Sequence, residues 1–155
     1  MQLRVLSPDD WELWRDTRLR ALADSPDAFG STLAEWRSAD QDQWRQRLSA
    51  VPFNVVAVVG DEAVGQASGT QLDSEQRVEL ISMWVTPSAR GSGVADELLA
   101  AVKDYAEGVG AVAVRLSVRR FNERAIGAYE RASFVLADEP GDEPAEIAMH
   151  CPLRP

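Results

Sequence analysis

The spacing of apolar residues in the first fifty positions predicts a short strand followed by two helices. Apolar and polar residues alternate around Leu3 and Val5, and Pro8 ends this strand. The first helix runs to the Ser25-Pro26-Asp27 break, and a single second helix is predicted over about 33–48. Their inward positions are Trp11, Trp14, Leu19, Leu22, Trp36, Trp44 and Leu48, and the first helix has an outer face of Arg15, Asp16, Arg18 and Arg20.

A run of β-branched residues then begins a meander of antiparallel strands. Residues 53–59 predict one strand, and Gly60-Asp61-Glu62 is a hairpin turn into a second strand over 63–71. A turn around Asp73 leads into a third strand from Val78.

The pattern changes from strand to helix in the middle of the chain. Residues 80–85 are nearly all apolar, which is typical of a strand buried on both faces, and Pro87 ends it. Gly91 and Gly93 then allow a tight turn that brings several backbone N–H groups to one point. The helix that follows has its apolar face at Val94, Ala95, Leu98, Leu99, Val102 and Tyr105.

This strand, turn and helix predict an anion site. The N–H groups of a helical first turn lack partners, and the helix dipole is positive there. The chain has no Gly-x4-Gly-Lys-Ser/Thr motif, which excludes a P-loop. Asp96 stands where a dinucleotide fingerprint requires Gly or Ala, so that motif is excluded as well.

The last third of the chain predicts one parallel strand, one helix and two closing strands. Residues 111–118 form an apolar strand, which should lie parallel to the strand ending at Val85 because a helix connects them. Asn122 is an N-cap for a short helix, and strands are predicted from Phe134 and over 147–153. The buried face of the short helix is assigned to Ala125, Ile126, Tyr129 and Ala132.

Composition narrows the class of protein. A chain of 155 residues predicts one domain, 1–155, and a net charge of −9 argues against a nucleic-acid partner. One cysteine, Cys151, and one histidine cannot form a disulfide or a Cys/His zinc cluster, so no metal is expected. The chain has neither a signal-peptide pattern nor about 18 consecutive apolar residues, and a cytoplasmic protein without a membrane partner is therefore expected.

Two segments carry a family resemblance. Val85-Thr86-Pro87 followed by Arg90-Gly91-Ser92-Gly93-Val94-Ala95 resembles the acetyl-CoA signature of the GNAT superfamily of N-acetyltransferases. Residues 122–134 are similar to the second signature, Asn-x-x-Ala-x-x-x-Tyr-Glu-Lys-x-Gly-Phe, except that Arg131 stands at the lysine and Ser133 replaces the glycine. Their joint occurrence in the family's order is specific where each half is not. The resemblance implies an α/β (α+β) GNAT fold: a mixed, mostly antiparallel sheet of six to seven strands, about four helices, and central parallel strands splayed around CoA.

The resemblance also implies a co-substrate, acetyl-CoA, and the residues that hold it. The pyrophosphate would lie on the amides of Arg90, Gly91, Ser92, Gly93, Val94 and Ala95. The pantetheine arm would follow the backbone of Met83, Trp84 and Val85, where a backbone N–H would polarise the thioester carbonyl. Asn122 would contact the arm, and Tyr129 would protonate the departing CoA sulfur.

An amine acceptor requires a group that removes its proton, because an alkyl ammonium is almost fully protonated at neutral pH. Glu79 is the candidate base, and a two-residue period places it on one face with Ile81, Met83 and Val85. A solvated strand-end acid is the alternative interpretation of Glu79, and His150 is a second candidate base. The acceptor site is expected at the loop of 27–31, with Phe29 and Ser31 as substrate residues, together with the hairpin near Asp73 and the C-terminal strands.

These expectations describe an N-acetyltransferase that moves an acetyl group to a primary amine of a small molecule or a peptide by direct attack in a ternary complex. Cys151 lacks the His-and-acid arrangement of a nucleophile. The alternatives are a different acyl donor and a non-catalytic CoA-binding regulatory or sensor module with the same fold. The resemblance also allows a homodimer, which no surface pattern in the sequence supports.

Overall fold

A computed structural model describes residues 1–26 and 32–153. These residues form a seven-stranded sheet with five α-helices and 3₁₀ turns at Pro8–Asp10 and Pro87–Ala89. The strands are β1 (Gln2–Val5), β2 (Phe53–Val59), β3 (Glu62–Gly69), β4 (Arg77–Val85), β5 (Ala113–Arg119), β6 (Val135–Pro140) and β7 (Glu146–Pro152). The helices are α1 (Trp11–Asp24), α2 (Leu33–Arg37), α3 (Gln41–Ala50), α4 (Val94–Gly108) and α5 (Glu123–Arg131).

The sheet is mixed and mostly antiparallel, which confirms the predicted fold class. Its strand order is β1-β2-β3-β4-β5-β7-β6, and only β4 and β5 are parallel neighbours. Helix α4 connects these two strands, as the crossover rule requires. No helix within residues 1–26 and 32–153 is long and apolar enough to cross a membrane.

The prediction of one helix over 33–48 is wrong, because two helices occupy this segment. The second of them begins at an N-cap, Asp40, whose side chain accepts a hydrogen bond from the Gln43 N–H at 2.9 Å. The Gln43 side chain accepts one in return from the Asp40 N–H at 2.8 Å. This reciprocal capping box starts a new helix at Gln41 and so divides the segment into two.

Both faces of the sheet are covered. Helices α4 and α5 pack on one face around a core that includes Val55, Leu80 and Leu98. Helices α1 and α3 pack on the other face, where Trp14 and Trp44 are fully buried. Alternate residues of β2 point into the two cores, as the two-residue period of a strand requires.

A β-bulge interrupts β4 at Ser82. Ser68 pairs with Ile81 but Gln66 pairs with Trp84, so β4 contributes one residue more than β3. Ser82 has a φ of 57°, and the buried Gln66 side chain donates from Nε2 to the Ser82 carbonyl oxygen at 2.9 Å. A bulge of this kind bends the strand and re-aims the side chains that follow it.

The bulge overturns the predicted common face of Glu79, Met83 and Val85. Leu80, before the bulge, and Met83 and Val85, after it, all contact the α4-side core. Glu79 instead lines a cavity beneath the helices of the other face. The extra residue inverts the two-residue period, so Glu79 lies on the opposite face from Met83.

The parallel strands separate directly after Glu79. Within the described residues, β4 and β5 pair at Arg77–Ala113, Val78–Val114 and Glu79–Arg115. The remainder of β4, which includes the bulge, stays paired with β3 but forms no backbone pairs with β5 in the described residues. The splayed centre predicted for the sheet is thus confirmed.

Candidate active site

A cavity of about 580 Å³ lies where β4 ends, between the 86–93 turn and α5, and we call it the turn cavity. Residues from the strand, the turn and two helices contribute to it, so the fold assembles it from segments distant in sequence. Its lining comprises Ser25, Met83, Trp84, Val85, Arg90, Gly91, Gly93, Ala95, Asp96, Asn122, Arg124, Ala125, Ala128, Tyr129 and Arg131.

Two glycines give the turn its shape. Gly91 has a φ of 81°, and Gly93, the N-cap of α4, has a φ of 91°. A Cβ atom at either position would meet no atom within 4 Å. The turn therefore requires glycine for its backbone conformation and not for space. The open N-terminus of α4 begins directly behind it.

A hydrogen-bonded group ties the turn to β4 and to the end of α1. The Arg90 guanidinium donates to the Val85 carbonyl at 3.0 Å and to the Asp24 carboxylate at 2.9 Å. The Trp84 indole donates to the same Asp24 oxygen at 2.9 Å. The Trp84 bond, followed by Ser25 and Arg90, lowers the pKa of Asp24 although partial burial opposes this, so the carboxylate is ionised at neutral pH.

Tyr129 lies on the inner face of α5 and is 8% exposed. Its ring packs against Phe134 with 5.8 Å between the centroids. Within the described residues its hydroxyl makes no hydrogen bond, and burial raises the pKa of the phenol. The hydroxyl is therefore protonated and able to donate into the turn cavity.

Asn122 begins α5, as predicted, and lines the turn cavity. Its side-chain oxygen accepts a hydrogen bond from the Ala125 N–H at 3.2 Å. The cap fixes the start of the helix that carries Tyr129 two turns later.

A second cavity of about 340 Å³ lies on the α1 and α3 face of the sheet, and we call it the arginine cavity. It includes Ser82, and the turn cavity includes the next residue, Met83, so the two cavities flank the bulge. Its lining comprises Trp14, Arg18, Trp36, Trp44, Arg47, Glu79, Leu80, Ile81, Ser82, Ser117, Asp142, Glu143 and Glu146.

Carboxylates gather on one side of the arginine cavity, around Arg115. The Arg115 guanidinium donates to Glu79 at 2.9 Å and to Asp142 at 3.0 Å, and it is itself buried. Burial and the Asp142 carboxylate raise the pKa of Glu79, although Arg115 opposes this shift. Glu79 is thus a stronger base than an exposed glutamate.

Two arginines lie on the other side of this cavity, the buried Arg18 from α1 and the partly buried Arg47 from α3. Placing Arg18 on the outer face of its helix was wrong, because its residue is only 8% exposed. Burial and repulsion from Arg47 lower the pKa of Arg18 to about 10, and burial lowers the pKa of Arg47 to about 10. A helix face assigned from apolar residues alone places every arginine on the solvent side, so the pattern did not predict the burial of Arg18.

The structure brings most of the predicted cofactor residues to the turn cavity, with two exceptions. Ser92 is exposed, and Val94 is buried in the α4-side core, so neither side chain lines the cavity. Arg124 and Arg131 line it but were not predicted, although their spacing of seven residues on α5 places both on one face.

The predicted acceptor and base residues have mixed outcomes. Phe29 and Ser31 lie outside the described residues. His150 and Asp73 line neither of the two cavities in the described part of the chain, and Asp73 instead binds Arg77 at 3.0 Å. The turn between the C-terminal strands β6 and β7 does line the arginine cavity, through Asp142.

The splayed mixed sheet, with a glycine turn and a helix N-terminus at its opening, defines the class of acyltransferases that share the GNAT fold. A model of the Acetyltransferase (GNAT) family matches residues 11–134. The chain belongs to this family and is an acyltransferase.

Individual proteins agree with this assignment. An acetyltransferase of Pectobacterium atrosepticum is 26% identical over 142 residues, which are 89% of this chain and 90% of that protein. The fold is similar to that of the PaiA N-acetyltransferase of Thermoplasma acidophilum in complex with coenzyme A, with a TM-score of 0.77, 14% identity, and coverage of 99% of this chain and 100% of that one. It is also similar to YncA, a putative acetyltransferase of Salmonella typhimurium with its cofactor acetyl-CoA, with a TM-score of 0.77, 19% identity, and coverage of 100% and 95%.

Proposed function

We propose that the protein transfers an acetyl group from acetyl-CoA to a primary amine by direct attack in a ternary complex. The observation that carries this proposal is the pair of cavities that flank the bulge at Ser82 and Met83. The turn cavity is suited to a phosphate-bearing thioester, and the arginine cavity contains Glu79 as the base. The two reactants would therefore approach the gap between β4 and β5 from opposite faces of the sheet.

The turn cavity suits the phosphates of acetyl-CoA. The glycine turn and the N-terminus of α4 supply backbone donors for the pyrophosphate, with Arg90, Gly91, Ser92, Gly93, Val94 and Ala95 contributing backbone. Arg124 and Arg131 add two cations on the α5 side. The arm of the co-substrate would follow Met83, Trp84 and Val85 to Tyr129, with Asn122 beside it.

The reaction removes two protons from the acceptor ammonium and supplies one to the CoA sulfur. Glu79, with its raised pKa, accepts a proton from the acceptor ammonium, directly or through water. The amine nitrogen then forms a bond to the thioester carbonyl carbon, while a backbone N–H near Val85 polarises the carbonyl oxygen. The C–S bond breaks, its electron pair leaves on sulfur, and Tyr129 supplies the proton that the sulfur takes up. The second proton lost from the nitrogen then restores the Tyr129 hydroxyl, directly or through water.

Acetyl-CoA binding and the Tyr129→Phe variant test the proposal together. Millimolar acetyl-CoA should raise the thermal midpoint of the wild-type protein, since a ligand that binds only the folded state stabilises it. Tyr129→Phe should keep that shift but reduce kcat about 10²-fold or more, because it removes only the proton donor.

Three results would count against parts of this proposal. A thermal midpoint that acetyl-CoA does not move would overturn the co-substrate assignment. Unchanged kcat in Tyr129→Phe would remove Tyr129 from the mechanism. Binding of acetyl-CoA without CoA release on a broad amine panel would favour the non-catalytic CoA-binding module instead.

A further inference from the structure

We propose that the acceptor is a small amine that also carries a carboxylate, of the size and chemistry of a free amino acid, and that Arg18 and Arg47 bind this carboxylate. This inference rests on the proposed function and names the substrate class of its acceptor site. It follows from the distribution of charge in the arginine cavity, from the aromatic walls of the cavity and from its volume.

The cavity is cationic on one side and anionic on the other. Arg18 and Arg47 belong to α1 and α3, and Arg47 reaches Asn54, Ser68 and Ser82 on three strands of the first half of the sheet. The carboxylates belong to the opposite side, where the turn between β6 and β7 faces the end of the β4–β5 pairing. They are Glu79, Asp142, Glu143 and Glu146.

Arg47 carries a partly buried charge that forms no ion pair with a carboxylate of the described residues. Its guanidinium donates to the Asn54 side-chain oxygen at 2.9 Å and to the hydroxyls of Ser68 and Ser82 at 3.1 and 3.2 Å. All three acceptors are neutral. The charge therefore lacks an anionic partner, and an anion brought into the cavity would supply one.

Arg18 is the second cation on this side of the cavity. Both side chains line the same cavity, and burial followed by repulsion from Arg47 lowers the pKa of Arg18, so the two charges lie within electrostatic reach of each other. A carboxylate between them would offset that repulsion and can accept hydrogen bonds on both oxygens.

The opposite side of the cavity suits an ammonium group. Glu79 and Asp142 share one cation, Arg115, and burial together with repulsion from Asp142 raises the pKa of Glu79. A bound ammonium would be attracted to this pair and could deliver its proton to Glu79. Because β4 and β5 separate directly after Glu79, the ammonium would lose its proton next to the gap between these two strands.

The walls and the volume restrict the rest of the acceptor. Trp36 is partly exposed and contributes aromatic surface to the cavity in front of the buried Trp14 and Trp44, which favours an apolar side chain between the two polar ends. A volume of about 340 Å³ is near the lower limit for ligand sites, so the cavity suits a molecule of amino-acid size. Polyamines and aminoglycosides, which carry several positive charges, would be repelled by the arginine pair.

Matched acceptors test the inference on the wild-type protein. With saturating acetyl-CoA, CoA release is measured for L-phenylalanine, L-phenylalaninamide and spermidine, and then for other apolar amino acids with their amides. We expect kcat/KM to be at least about tenfold higher for each acid than for its amide, equivalent to one charge-assisted contact of about 1.4 kcal/mol. An equal or higher kcat/KM for the amide or for spermidine would overturn the inference.

Arg47→Gln should remove this preference. The variant should lose most of its activity on the acid and keep most of its activity on the amide, whereas a purely structural defect would lower both together. Arg45→Gln is the matched control, because Arg45 lies on the same helix but pairs with Asp9 at 2.9 Å on the surface. Arg45→Gln should retain the wild-type preference.

A binding measurement covers the case in which Arg47→Gln does not fold. N-acetyl-L-phenylalanine should change the fluorescence of the wild-type tryptophans at lower concentration than N-acetyl-L-phenylalaninamide does. Equal binding, or none by either, would contradict the carboxylate assignment. Acetyl-CoA binding measured on the same sample separates this failure from a failure of the proposed function.

Discussion

At the scale of single residues, two non-glycine positions adopt the left-handed backbone conformation at points that shape the site. Ser82 does so in the bulge, with a φ of 57°, and Ser133 does so after α5, with a φ of 74°. Conformations of this kind cost energy and persist only where the surrounding structure enforces them. At Ser133 the enforcing structure is a helix C-cap of the Schellman type, in which Phe134 N–H donates to the Tyr129 carbonyl and Ser133 N–H to the Glu130 carbonyl, each at 3.0 Å.

Ser133→Gly should stabilise the protein. Glycine adopts this conformation without strain, and the gain should exceed its greater loss of chain entropy, for a net increase of up to about 1 kcal/mol in the free energy of unfolding. Urea denaturation measures the change. Ser133→Ala keeps a Cβ atom and serves as the control, which should not be stabilised. Equal stability of the glycine and alanine variants would show that the backbone of Ser133 is not strained.

Asp142→Asn should change the pH dependence of the reaction. In the proposed mechanism Glu79 accepts a proton only when ionised, so kcat/KM should fall as the pH drops through its pKa, which burial and Asp142 raise above the ordinary glutamate value. Removing the Asp142 charge favours ionised Glu79 and lowers that pKa, so the acidic limb of the profile should move to lower pH. Asp138→Asn removes the same charge from an exposed position of β6 and should leave the limb in place. An unmoved limb in Asp142→Asn would argue against Glu79 as the base.

At the scale of elements, the site depends on how β4 ends and how α4 begins. Because of the bulge, Glu79 lines the arginine cavity and Met83 lines the turn cavity. One strand therefore contributes side chains to both cavities. The glycine turn then presents the N-terminus of α4 to the first of these cavities. A strand without the bulge would carry both side chains on one face.

Gly93→Ala should weaken acetyl-CoA binding. The N-cap conformation of Gly93 is unfavourable for alanine by about 1–2 kcal/mol, so the turn would distort, and affinity should fall about tenfold. Gly108→Ala is the control at the other end of α4, where a Cβ atom has open space and φ is not positive. That change should leave affinity unaltered and raise stability by about 0.5–1 kcal/mol. Isothermal titration gives both affinities, and equal values would contradict the role of the turn.

At the scale of the whole molecule, the sheet separates two electrostatic environments. The turn cavity has backbone donors with Arg124 and Arg131, whereas the other cavity has its arginine pair opposite a group of carboxylates. The Asp24 carboxylate links the end of α1 to the turn cavity. It accepts hydrogen bonds from Trp84 and Arg90, which both line that cavity. The net charge of −9 therefore conceals cationic surroundings at both places where an anion is proposed to bind.

The sequence by itself determined the succession of strands and helices along the chain, except for the division of 33–48 into α2 and α3, and it also determined the turn and the α5 cap. These features depend on neighbours within a few positions: Gly91 and Gly93 allow the turn, Asn122 starts α5, and apolar spacing separates strand from helix. The two signatures then identified the family that the comparisons confirm.

Only the tertiary structure decided which face each site residue occupies. The inversion between Glu79 and Met83 comes from unequal pairing of β4 with β3, a property of two strands that no single-strand period contains. The proximity of Arg18 and Arg47 in one cavity likewise depends on the packing of α1 against α3 over the sheet. Sequence periodicity describes one element at a time, whereas the arginine cavity is formed by contacts between elements.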